Sequence, residues 1–210
     1  MGRRRAGAKD DYSIPKWLLE LLFLRVCDNN YIPRLFITMK LLLTTLALVL
    51  PAFSQSTVKD ALVKHWKVTG DFTIAVAKAM PADSWGFRPV PQEMSFGELV
   101  AHIAGANLSA CSNAGGVARP AIPENILKAV ADKQPAEREL ALKFLADSFI
   151  FCNQTIASIA PEKLDAVMGT TRKMTAFEWL WSYFTHTAHH RGQAEVYLRV
   201  KGVKPPEYVF

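Results

Sequence analysis

The chain has 210 residues, half of them apolar, enough for one domain with a proper hydrophobic core. Its formal charge of +6 gathers at one end: residues 1–38 hold seven Lys/Arg against four Asp/Glu, whereas from Gln55 onward 17 Lys/Arg face 15 Asp/Glu. With no basic stripe interleaved with aromatics in that larger part, nucleic-acid binding is excluded as a leading function.

The first recognisable element is "MKLLLTTLALVLPAFSQ", which begins at Met39. A start-like Met and Lys40 precede an apolar run of about ten residues, followed by Pro51 and small residues. This is the layout of a secretory signal peptide, 39–54, with an Ala-x-Ser-like cleavage site at Ala52 to Ser54. It predicts an exported protein, periplasmic or secreted, whose mature chain begins at Gln55. The run is too short to span a bilayer, which takes about 20 apolar residues. A buried N-terminal helix is the competing reading. Residues 1–38 then read as a non-native extension upstream of the true start, and 55–210 as the folded domain.

Four helical segments follow, marked off by Pro and Gly. The first runs from Thr57 to Met80 and stops before Pro81; the second begins at Ser95 and fades near Gly115. The third covers about Pro135 to Ile159, and the fourth runs from Thr175 to about Lys201. No alternating stretch of strand length competes, so the expected fold is all-α, a four-helix bundle. About twenty residues separate the second and third helices. That length permits a crossover connection.

Two helix starts are written in full. "MSFGEL" places Ser95 at the N-cap with Glu98 three positions on, and Met94 and Leu99 flank this capping box as a hydrophobic staple. "MTAFEW" repeats the arrangement with Thr175, Glu178, Met174 and Trp179. The cysteines are less informative. Cys111 and Cys152 lie in helical, apolar surroundings, where a disulfide and two buried free thiols are both open. No Cys-x-x-Cys occurs, which excludes a thiolate zinc site or a thioredoxin-like motif.

The fourth helix carries three of the chain's five histidines, in "FTHTAHHRGQAEVYLRVKG". Positions four apart fall about 40° apart on a helix, so His186 and His190 project together. His189 points about 100° away from His190, which leaves it a proton-transfer candidate or a solvated surface residue. Trp179, Tyr183, Gln193 and Tyr197 share the sector of His186 and form an aromatic stripe. Imidazoles buried in such a stripe need polar partners, and a metal ion with a third ligand supplies one. His102 on the second helix is the remaining histidine in an apolar, small-residue setting, whereas His65 sits between lysines and reads as a surface residue. Glu98, one turn before His102, is a weak candidate base because its cap already accounts for it. Arg191 reads as a packing or salt-bridge residue.

"SFGELVAHIAGAN" and "HTAHHRGQAEVYLR", set in four helices, resemble the DinB (damage-inducible) family of metal-binding four-helix proteins over roughly Val58 to Val203. The H-x-x-x-H-R-G-Q run is the most specific part. The resemblance implies that His102, His186 and His190 ligate a divalent metal, zinc by default, with nickel or iron also suited to imidazole. Three neutral imidazoles leave such an ion its full charge and an open position, which acidifies bound water or polarises a carbonyl. The family is similar to thiol-dependent enzymes such as bacillithiol transferases and mycothiol-dependent maleylpyruvate isomerase. Their thiols are cytosolic, so export argues against that role here.

The leading expectation is a metal-dependent hydrolase or transferase of unknown small-molecule substrate. The alternatives are a non-catalytic, stress-associated metal-binding bundle and a bundle whose histidines are packed and metal-free. A second apolar face on the fourth helix, formed by Phe177, Leu180, Phe184 and Leu198, needs a neighbour. The first or third helix of the same chain provides one, and a two-fold homodimer provides another.

Overall fold

The computed structural model describes residues 57–208 together with Pro15, Lys16 and Glu20. The expected extension, the signal segment and the start of the mature chain at Gln55 lie outside the described residues. The chain divides into two units, Met1–Pro51 and Ala52–Phe210, and the second is described below.

Helix α1 covers 57–79 and stops before Pro81, which cannot continue the ladder. Helix α2, Phe96–Gly115, starts at the expected capping box: Glu98 N–H donates to Ser95 Oγ at 3.2 Å, and Ser95 N–H to Glu98 Oε2 at 2.7 Å. It ends on Gly116, whose φ of 63° is the left-handed conformation that glycine adopts without strain. Helix α4, Arg138–Ser158, starts later than its sequence pattern predicts, because the Glu137 carboxylate caps it by accepting from the N–H groups of Glu139 and Leu140. Helix α5, Ala176–Val200, opens on the second expected box, with Thr175 and Glu178 bonded reciprocally.

Two pieces were not foreseen. The connection between α2 and α4, whose length permits a crossover, holds a short helix, α3, Glu124–Ala131, that the sequence pattern does not mark. Two-residue strands β1, Val167–Met168, and β2, Met174–Thr175, pair antiparallel just before α5, with Val167 opposite Thr175. The fold is therefore all-α apart from this small ladder. Among the described residues no helix is long and apolar enough to cross a membrane.

Helix α2 packs against both α4 and α5. The core closes around Trp66 of α1, fully buried, whose ring lies 6.5 Å from Phe149 of α4 and 6.3 Å from Phe184 of α5. Of the second apolar face of α5, Leu180 and Leu198 are fully buried within the chain and Phe184 meets Trp66 of α1, while Phe177 and Phe184 stay half-buried. Gly97 is required on α2 because a Cβ there would collide with the Trp85 indole, whose N–H donates to Ala136 O at 2.8 Å. Cys111 of α2 and Cys152 of α4 form a disulfide with a Cα–Cα distance of 5.3 Å, which decides between the two pairing states left open by the sequence. Arg191 takes the expected packing role. Buried on α5, it lies 4.7 Å from the Phe72 ring centroid and 3.9 Å from the Glu195 carboxylate.

Candidate metal centre

The capped start of α2 fixes the rotation of that helix and places His102, one turn past Glu98, opposite α5. There the 3.6-residue period stacks His186 and His190 on one face. The three Nε2 atoms form a triangle with every side 3.1 Å. All three sequence-predicted ligands are therefore together, and among the described residues they form a group able to hold a metal ion. His189 stands beside them, its ring 4.8 Å from that of His190, but it is exposed and outside the triangle. His65 is exposed on α1, as expected of a surface residue.

The donor chemistry fits a metal. Each Nε2 has a single in-plane lone pair or proton, so three of them at mutual 3.1 Å cannot satisfy one another pairwise. Zn–N bonds of about 2.0–2.1 Å bring three imidazole nitrogens to roughly 3–3.4 Å from one another. His190 Nδ1 donates to Gln193 Oε1 at 2.7 Å, which fixes the proton on Nδ1 and turns the Nε2 lone pair into the triangle. Gln193 lay in the stripe predicted from the sequence, but its bond to His190 depends on a rotamer the sequence does not reveal. Replacing it with Leu should lower metal affinity by about 10- to 100-fold, read by competition with a chelating dye, while leaving the helical signal unchanged.

Electrostatics keep the cluster neutral. Burial, then the neighbouring His190, His102 and His189, push His186 from the ordinary 6.5 down to about 4. Burial and the adjacent His190 lower His102, and burial lowers His190 against the opposing pull of Gln193. His102 remains open to solvent along its side while its Nε2 faces the other two rings, so exposure and desolvation coexist in one residue. Between about 4 and 6.5 the unfolded chain binds more protons than the folded one. The metal-free protein should therefore lose stability as pH falls through that window and show no such loss above 7, read by denaturant titration in the presence of a chelator.

Tyr183 packs on His186 with ring centroids 5.4 Å apart, and Trp179 stacks on Tyr183 at 5.8 Å. The rest of the stripe is occupied elsewhere: Tyr197 donates to Met94 O at 3.0 Å. Glu98 is committed as well, since its buried carboxylate accepts from Ser95 and pairs with Arg88 at 2.5 Å. On its open side the triangle meets a cleft of about 510 Å³, lined by His102 and His186 together with Tyr183, Phe144 and two arginines, Arg119 and Arg172. Sequence reasoning missed both arginines, which sit in loops with no motif around them.

The sequence matches the model of the DinB superfamily over residues 65–194. The fold is similar to that of a DinB-like protein from Bacillus cereus ATCC 10987, at 15% identity and a TM-score of 0.60, covering 71% of this chain and 97% of that one. A DinB-like protein from Bacillus subtilis aligns at 22% identity and a TM-score of 0.52, covering 71% and 96%. A conserved protein from Enterococcus faecalis aligns at 18% identity and a TM-score of 0.55, covering 68% and 96%. No curated protein matches the sequence.

Proposed function

The chain belongs to the DinB superfamily, and from that premise and its three converging imidazoles we propose that it is an exported metalloprotein acting as a hydrolase or transferase on a small molecule. One observation carries the reading: three neutral Nε2 atoms meet at the edge of an open cleft large enough for a small ligand. His102, His186 and His190 would hold the ion, which supplies Lewis acidity and an open coordination position. Zinc is the default for this donor set, and nickel and iron also suit imidazole.

The protein groups divide the remaining work. Gln193 sets the tautomer and orientation of His190, and Tyr183 holds the His186 ring against α5. His189, exposed beside His190, is the proton-transfer candidate of this reading. Export is supported by the Cys111–Cys152 disulfide, since such bonds persist in oxidising compartments. The non-catalytic alternative is favoured by the commitment of Glu98 to its cap and to Arg88, which leaves no carboxylate in the histidine group among the described residues. A screen of ester, amide and phosphoester hydrolysis and of group transfer, run on metal-loaded protein, separates the two. Turnover lost in His186→Ala supports the enzyme. Full metal loading with no turnover across the screen supports the alternative.

A further inference from the structure

The cleft beside the histidines has a wall and a rim of distinct chemistry. Ile122, Ile126, Leu127 and Val130, from α3 and the loop before it, line it together with Phe144 of α4. Leu127 and Val130 are each 51% exposed, so large aliphatic side chains remain wet at the edge of a concave surface. Single exposed aliphatics are ordinary, but two bordering one cleft whose floor is also apolar make a binding wall.

The rim is cationic. Of the six arginines among the described residues, Arg88, Arg138, Arg191 and Arg199 are ion-paired with glutamates. Arg119 and Arg172 make no ion pair among the described residues, and both line this cleft. They come from separate parts of the chain, the loop after α2 and the turn between β1 and β2. Among the described residues no acidic side chain lines the cleft to neutralise them. A guanidinium presents a planar fork of donors that matches a carboxylate or phosphate, and a cleft of one sign raises the local concentration of anions.

We propose that this cleft selects an amphipathic organic anion, with its apolar body against α3 and Phe144 and its carboxylate or phosphate head held by Arg119 and Arg172. The proposal deepens the metal-site reading by naming the substrate class. Recognition by the arginines and the apolar wall does not itself require the ion.

The test is calorimetric titration of the full chain, at low salt and with measured zinc content, using octanoate, octyl phosphate and the uncharged octanamide. At least one anion should bind about tenfold or more tighter than octanamide, the scale of one charge-assisted hydrogen-bonded pair. Whichever anion binds tighter identifies the head group. The Arg119→Gln/Arg172→Gln double variant should erase the preference with zinc content and helical signal unchanged. Both positions are exposed, so the substitutions leave the core intact. Equal binding of all three probes, or a preference surviving in the double variant, overturns the proposal. Chelator-treated protein separates the two readings. An anion preference that persists there and vanishes in the double variant supports the arginine rim even if the metal site fails. A preference that needs zinc and ignores both arginines overturns the rim and leaves the metal site standing.

Discussion

Replacing His186 with Ala should reduce bound metal from about one ion per chain to a small fraction, with affinity falling by more than about 100-fold, the upper end of what losing an orienting partner costs. His186 is the strongest choice because its Nε2 lies 3.1 Å from both His102 and His190, so its removal opens the triangle on two sides. The loss should appear in stability as well. An ion at about 100 times its Kd stabilises the wild type by about 2.7 kcal/mol, and that increment should vanish in the variant. The fold should survive, because neighbouring Thr187 keeps its buried hydrogen bond to Asn107 Oδ1 at 3.1 Å and the core around Trp66 is untouched. Elemental analysis after zinc and nickel reconstitution reads the first effect, and a denaturant titration with and without zinc reads the second. A variant that retains a full equivalent of metal would remove His186 from the site.

The second large effect concerns the disulfide. Cys111 and Cys152 are both fully buried and 41 residues apart in sequence, and together they tie α2 to α4. Closing a loop of that length in the unfolded chain stabilises the folded state by about 4 kcal/mol in the chain-entropy picture, with measured cases near 2–4. The Cys111→Ala/Cys152→Ala variant should therefore unfold at clearly lower denaturant, with an added cost from the volume lost at two packed positions. Metal content should be unchanged, since neither cysteine belongs to the histidine group. A thiol titration showing two free cysteines in protein recovered from its native host would contradict the pairing and weaken the case for export.

The parts of this molecule that were legible in advance rest on local chemistry. Ser95 with Glu98 and Thr175 with Glu178 name their helix starts because the bonds involved span only three residues. His186 and His190 could be paired from helical period alone. His102 is nominated by its apolar, small-residue setting on a capped helix, but its approach depends on how α2 lies against α5, and only the family resemblance implies it as the third ligand. The disulfide was undecidable for the same reason: pairing requires the register of α2 against α4. Helix α3 escaped notice because eight residues behind Pro120 and Pro123 read as a loop, and only Ile126 of that helix is buried. Arg119 and Arg172 carry no pattern at all in the sequence. They become meaningful only when the folded chain brings two distant loops to one cleft.

The central claim is that one divalent ion sits between α2 and α5, held by three imidazoles. Anomalous diffraction from crystals of the zinc-reconstituted protein, collected on both sides of the zinc absorption edge, tests it most directly. The expected result is a single strong peak per chain about 2.0–2.1 Å from the Nε2 atoms of His102, His186 and His190. A peak at any other place, or none between these three residues in crystals whose dissolved protein contains a full equivalent of zinc, would contradict it.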